Sequence, residues 1–298
     1  MILKKSLLGL CALALTLPAL AAQTFGTADA AGDALVRALE TRDRAALQRI
    51  LGKGYGDLIH VTDQDDARAL IDSFVRQYQT RHQWLDQGQR YKVLEVGEEN
   101  YPFAIPLVKK AAGWEFDLPA GREEMLSRMI GTNELSTIEV LKTLREAQRE
   151  YFLRNPDGSP FPHYASRVQS SPDTRDGLYW PSAEGEESSP MGELFARAAS
   201  DMTGKSKPAE PFHGYYFRLL KRQGPDAPGG AYDYLVKGKL YGGYAIIAWP
   251  ASYGKSGIMT FMTSHDGKIY QRNLGRQTAA QAAAISSFNP DKSWQEVH

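Results

Sequence analysis

Twice along this chain the apolar residues switch from helical spacing to strand spacing. In the first passage Leu35, Val36 and Leu39 share one helical face, and Asp43 stands where an N-cap belongs. Leu47, Ile50 and Leu51 then repeat the spacing before Gly52, so 33–52 reads as a helical pair. Thr62 and Asp65 resemble a capping box. Behind them Ala67, Leu70, Ile71, Phe74, Val75 and Tyr78 fall at i, i+3, i+4, i+7, i+8 and i+11. The period then drops, and 91–96, 103–108 and 113–118 read as strands. The second passage begins at Asn133, read as the cap of a long helix with Leu135, Ile138, Leu141, Leu144, Gln148, Tyr151 and Phe152 on one side. Asn155-Pro-Asp-Gly158 stops it. Polar loops at 182–190 and 204–211 flank a short helix at about 191–199. Strands follow at 215–220, 232–236, 241–248, 257–263 and 268–271, with Asp266-Gly267 as a type I′ hairpin turn and a last helix over 278–287. Helices followed by an antiparallel meander, twice over, predict an α+β fold rather than a doubly wound sheet. At 298 residues the chain has room for two domains, placed at 23–130 and 131–298.

The start of the chain sets the expected address. Lys4 and Lys5 precede an apolar run from Ser6 to Leu20, and Ala19-Leu20-Ala21 fits signal-peptidase cleavage after Ala21 or Ala22. Residues 1–22 are therefore predicted to be a signal peptide, and the mature protein to be periplasmic or secreted. The run is shorter than the roughly 20 residues a membrane span needs, and no later segment is long and uncharged enough for stable insertion. The only cysteine, Cys11, lies inside the run between Leu10 and Ala12, so the mature chain is expected to have no disulfide and no thiol chemistry. The whole chain carries 35 Lys and Arg against 35 Asp and Glu. Loss of Lys4 and Lys5 leaves 33 against 35, a balance that argues against a nucleic-acid partner.

Few strings carry recognisable chemistry. Gly254-Lys-Ser256 and Gly204-Lys-Ser206 mimic the end of a phosphate-binding loop, but Trp249 and Ala199 stand where its first glycine is required. His60, His82, His163, His213, His265 and His298 are never three or four apart, so no helical metal pair exists, and neither a metal nor a cofactor is expected. Glu146 and Glu150 lie one turn apart beside Arg145 and Arg149. Adjacent arginines would lower a carboxyl pKa, where a glycosidase acid needs it raised; a solvated face of ion pairs is the better reading. Aromatic density is the local anomaly: ten of the 42 residues from Phe212 to Tyr253 are aromatic, against 10% of the chain. Tyrosine and tryptophan join a large contact area to a polar tip, which suits sugar faces and protein interfaces. Trp180, His213, Tyr215, Trp249 and Tyr253 are the candidate ligand-binding residues. For His213 a structural bond to a neighbouring carbonyl outweighs general-base work.

Several strings carry resemblances. Gly113-Trp-Glu-Phe-Asp after amphipathic helices resembles the cystatin-like roll of nuclear-transport-factor-type domains. Gly243-Tyr-Ala-Ile-Ile-Ala-Trp-Pro250, Gly254-x-x-Gly257, Phe261 and Asp266-Gly-Lys-Ile269 resemble the end of a pseudopilin headgroup. The long helix, however, bears Glu139, Lys142, Arg145, Glu146, Arg149 and Glu150, which a filament core would not accept. Over the whole chain, Phe25-Gly-Thr, Tyr101-Pro-Phe-Ala-Ile-Pro-Leu107, Gly121-Arg-Glu-Glu124, Ala147-Gln-Arg-Glu-Tyr151, Asp176-Gly-Leu-Tyr-Trp-Pro181, His213-Gly-Tyr-Tyr-Phe217, Gly224-Pro-Asp-Ala-Pro-Gly-Gly-Ala-Tyr-Asp233 and Ala248-Trp-Pro250 occur in order. In them the chain resembles the secreted bacterial family known as domain of unknown function twenty-nine-fifty. That resemblance implies an envelope protein and no particular reaction. Three functions follow as expectations. The first is a non-catalytic binding or assembly protein that takes an envelope protein or a cell-wall glycan on its aromatic sheet. The second is a periplasmic hydrolase with a site between the domains, using Glu123 or Glu124 with His213. The third is a structural subunit of a pseudopilin-type assembly, against which the charged helix and the cleavable leader argue.

Overall fold

Helix starts in this protein are set by short polar side chains that take up the free N–H groups of a first turn. In the computed structural model, which describes residues 22–58, 64–192 and 211–297, Thr27 Oγ accepts from Ala30 N at 3.1 Å and Asp43 Oδ1 from Ala46 N at 2.9 Å. They open α1 (Ala28–Glu40) and α2 (Arg44–Leu51). Residues 1–21 of the expected signal peptide, with Lys4, Lys5 and Cys11, lie outside the described residues. So do Thr62, His60, His298, the Gly204-Lys-Ser206 string and most of the helix expected at 191–199. The fold is α+β. The chain forms two compact units, one up to Met125 and one from Leu126.

In the first unit α3 (Gln64–Thr80) follows a single 3-10 turn at Tyr55–Leu58. The sheet comprises β1 (His82–Gln87), β2 (Tyr91–Val96), β3 (Tyr101–Pro102), β4 (Leu107–Lys110) and β5 (Gly113–Phe116), in the order β1-β2-β4-β5 with β3 beside β2. Leu35 of α1 packs in one core with Leu107 and Phe116; Val75 and Tyr78 of α3 join Leu94 and Val96 in another. Leu70, on the expected core face of α3, is 61% exposed. Helical spacing marks a face but not how far along the helix that face meets a neighbour. The strand expected at 103–108 begins only at Leu107, just after Pro106, which cannot donate to a ladder. Strand β1 escapes the sequence reading because His-Gln-Trp-Leu-Asp-Gln does not alternate; it is a sheet edge with Leu85 45% exposed.

Helix α4 (Leu118–Arg154) runs for 37 residues, about 55 Å. Asp117 Oδ1 accepts from Ala120 N at 3.1 Å, and Pro119 suits the first turn. Asn133 therefore does not cap the helix as expected but lies inside it. Its amide finds a tertiary partner instead, donating to Ser256 O at 2.9 Å.

The second unit holds β6 (Tyr215–Leu220), β7 (Arg222–Gln223), β8 (Tyr232–Asp233), β9 (Leu235–Val236), β10 (Lys239–Leu240), β11 (Ala245–Pro250), β12 (Met259–Ser264), β13 (Ile269–Asn273) and β14 (Gln295–Glu296). A five-stranded sheet runs β14-β13-β12-β11-β6, while β7–β8 and β9–β10 form small ladders. The single strand expected at 232–236 is divided at Tyr234, whose buried hydroxyl donates to Gln223 Oε1 at 2.8 Å. Asp266-Gly267 is not a two-residue type I′ turn. Gly267 N bonds Ser264 O at 3.0 Å, Thr263 pairs with Ile269, and only Gly267 (φ +88°) is left-handed. One sheet face packs with Leu141, Leu144 and Tyr151 of α4. On the other, Arg218 donates to the carbonyls of Ala282, Ala283 and Ile285, which binds α5 (Thr278–Ala284) to β6. That helix stops three residues before the expected 287, at Ile285, whose backbone is extended.

Candidate functional site

Antiparallel pairing of β6 with β11 sets Tyr216 opposite Trp249 and Tyr215 opposite Pro250. The chain ahead of β6 closes a tight turn: Phe212 and Tyr215 exchange both backbone bonds, at 2.9 and 3.0 Å, across His213 and Gly214. Both turn residues are left-handed, with φ +47° and +75°. A Cβ at Gly214 would lie 2.8 Å from the Ser256 side chain, so glycine suits this position in space as well as in φ. Ala251 N donates to Gly214 O at 2.9 Å and ties the loop carrying Tyr253 to the same turn. Helix α4 fixes that loop from below. Asn133 holds Ser256 O, and Glu134 Oε1 accepts from Ile258 N and Met259 N at 2.8 and 2.9 Å.

Four of the five expected residues thus meet at one end of the β6–β11 ladder. Tyr215 is fully buried, with its hydroxyl donating to Met259 O at 2.9 Å. Burial, with the Glu134 carboxylate nearby, pushes its pKa well above that of an ordinary phenol. Trp249 and Tyr253 are half-buried, and Tyr216 and Arg218 lie 5.9 and 5.7 Å from the Trp249 ring. His213 is exposed. Among the described residues its ring makes an edge contact with Phe212 at 4.3 Å and no hydrogen bond, so the expected bond to a carbonyl is absent. His213 and Phe212 border a groove of about 560 Å³ along α4, with Leu135, Val140 and Met191 as apolar walls and Thr132, Ser136, Glu139 and Thr143 as polar ones.

Trp180 lies apart from these residues. It is 4% exposed, its N–H donates to Glu187 O at 3.2 Å, and the guanidinium groups of Arg154 and Arg175 sit 5.7 and 5.4 Å from its ring. Much of the aromatic density also belongs to the core: Tyr215, Phe217, Tyr234 and Tyr244 are buried, and of the ten only Tyr232 is exposed. Glu146 and Glu150 pair with Arg145, Arg149 and Arg154, as a solvated helix face would.

The densest polar cluster was not legible as one. Asn155 (φ +47°) ends α4, and in the next turn Asp157 Oδ1 accepts from Ser159 Oγ at 2.7 Å. Lys239, on the β9–β10 hairpin, donates to Asp157 Oδ2 at 2.7 Å and to Ser159 Oγ, and lies 3.1 Å from His163 Nε2. His163 Nδ1 lies 2.9 Å from Tyr164 O and must donate there, because a carbonyl only accepts. Its Nε2 lies 3.0 Å from Asp157 Oδ2 and 3.1 Å from Ser159 Oγ. Burial alone would raise the Asp157 pKa. The bonds from Lys239, Ser159 and His163 outweigh it and hold the carboxyl well below the usual carboxylate range. The residue types are those of serine chemistry, yet the serine's proton is committed. Its hydroxyl donates to an ionised carboxylate, and the Lys239 ammonium donates to the same carboxylate and to the serine oxygen. The arrangement acts as a lock between loop and hairpin. Asn155-Pro-Asp-Gly-Ser and His163 were a local signal, but nothing in sequence links them to Lys239.

No group of three or more His, Cys, Asp or Glu side chains among the described residues could hold a metal ion, and no helix there is long and apolar enough to cross a membrane. What remains is an α+β chain with an open site at the end of a sheet. It belongs to the family described as "Protein of unknown function (DUF2950)", whose model matches residues 22–297. No curated protein and no solved structure matches the chain.

Proposed function

We propose that this protein is an exported, non-catalytic binding protein that takes an envelope partner, a protein or a cell-wall glycan, at the end of the β6–β11 ladder. The observation that carries this reading is the gathering of His213, Trp249 and Tyr253 at one end of the β6–β11 ladder, where His213 borders an open groove of about 560 Å³ and Trp249 lies on the opposite sheet face beside Tyr216 and Arg218. Half-buried indole and phenol rings offer contact area already fixed by the fold, so little conformational freedom is lost on binding. The Asn133 and Glu134 side chains hold the loop in place. Export rests on the leader-like run at 1–22 and on the envelope character that the family resemblance implies.

The test is recovery of partners by the purified protein from an envelope extract and co-sedimentation with isolated cell wall. Trp249→Ala and Tyr253→Ala are each expected to reduce recovery about tenfold. Equal recovery by wild type and both variants overturns the reading. N-terminal sequencing of the protein recovered from cells checks the leader; an intact Met1 would refute cleavage.

A further inference from the structure

The unit that ends at Met125 has a cavity of its own, about 430 Å³, between the start of α1 and the sheet. Gly26, Thr27, Ala28 and Asp29 form one wall; Trp84, Lys92 and Trp114 form the other, with His82 at the rim. The register explains why these side chains meet. Asp86 is opposite Lys92, Lys92 opposite Leu107, and Lys109 opposite Trp114, so Trp84, Lys92 and Trp114 stand on one sheet face.

We propose that this cavity is a carbohydrate subsite for one neutral pyranose ring. A sugar ring has an apolar C–H face and a rim of hydroxyls that both donate and accept, and the cavity offers the complement of each. Trp84 and Trp114 supply flat apolar surface. A Cβ at Gly32 would come within 3.3 Å of Trp84 Cζ2, so α1 holds that indole by one edge. Its N–H has no acceptor among the described residues. Donors are the Lys92 ammonium, 5.5 Å from the Trp114 ring centre, and the N–H groups of Ala28 and Asp29, since Thr27 takes up only that of Ala30. Acceptors are the exposed Asp29 carboxylate and the outer nitrogen of His82, whose Nδ1 is fixed to Tyr78 O at 2.9 Å and whose ring stacks on Tyr78 at 3.8 Å. Carboxylates at Asp29 and Asp86 oppose an anionic sugar, and the polar rim opposes a hydrocarbon. Aromatic walls with a few convergent polar groups are the usual make-up of small-ligand sites.

The full chain is titrated with glucose, galactose, N-acetylglucosamine and glucuronate, following indole emission and saturation transfer to the sugar protons by NMR. A neutral sugar is expected to give saturable quenching and saturation transfer concentrated on its C–H face. Lys92→Ala, in the cavity wall where the ammonium also pairs with Asp86, and Asp29→Asn, at an exposed position, should each weaken binding about tenfold. Lys292→Ala, at an exposed position of the other unit, should leave it unchanged. Absence of transfer to every sugar tested overturns the proposal, as does wild-type binding by both the Lys92 and the Asp29 variant. Glucuronate binding more tightly than the neutral sugars overturns the neutral assignment.

Discussion

Replacing Lys239 with methionine keeps most of the side chain's length and removes its charge. At neutral pH the change leaves Asp157, whose side chain is 13% exposed, ionised without its cation. Removing one partner of a fully buried pair costs about 3–5 kcal/mol. The Lys239 side chain is 36% exposed, so water replaces part of the lost interaction, and a loss of about 2 kcal/mol is expected. For a unit of this size that lowers the melting temperature by roughly 4–8 °C. The acid limb should change as well. The folded Asp157 pKa lies below its unfolded value, so its contribution is present above the ordinary carboxyl pKa of about 3.9 and is lost as pH falls through the folded value. Without Lys239, burial weighs more and the folded pKa rises toward the unfolded value, so the variant has less stability to lose on acidification and its deficit against wild type narrows as pH falls. Thermal unfolding of the full chain from neutral to acid pH reads both effects. Hydrogen exchange of the Tyr164 amide, which donates to Leu240 O at 3.0 Å, reports locally on the hairpin. Asp157→Asn combined with Lys239→Met should recover more than half of the loss, because the two side chains share one interaction. If Lys239→Met melts within about 1 °C of wild type at neutral pH and follows the same acid profile, the cluster is not a lock.

Gly257→Ala would place a Cβ 2.5 and 2.6 Å from Tyr215 Cζ and Cε2, so a loss of about 1–3 kcal/mol is expected in denaturant unfolding. Glu134→Ala leaves Ile258 N and Met259 N without their acceptor; it should cost about 1–3 kcal/mol and raise amide exchange through the Tyr253 loop before it affects the rest of the sheet. Burial raises the pKa values of Tyr151, Tyr215, Tyr234 and Tyr244, so the stability they contribute is present below the phenol pKa of about 10 and lost as pH rises past it. In a spectrophotometric titration these four should ionise only as the protein unfolds. A smooth titration of every tyrosine in the folded state would refute their burial.

Local chemistry was the legible part of this fold. Asp43 caps α2 where its type and position predict, and β2 and β6 occupy 91–96 and 215–220, where the period changes. What escaped was set by distant partners. Asn133 is a good cap by type, but Asp117 and Pro119 start α4 earlier and its amide is taken by Ser256. Aromatic density marked a stretch of chain without separating Trp249 and Tyr253, which reach solvent, from Tyr215 and Tyr234, which fill the core. Burial depends on which strand pairs with which, and composition does not carry that information.

The lock has a consequence for how such a chain can change over generations. Asp157, Ser159 and His163 sit within seven residues, whereas Lys239 lies 82 positions from Asp157 and comes from another element. A drift that removes the lysine first leaves a sheltered negative charge, and one that removes the aspartate first leaves an ammonium facing an imidazole. Either intermediate is disfavoured. Among relatives, positions 157 and 239 should therefore be exchanged together, as an acid with a base or as two neutral residues, while their immediate sequence neighbours vary freely. A collection of relatives in which the two positions vary independently would mean that the hairpin is held by its apolar contacts alone.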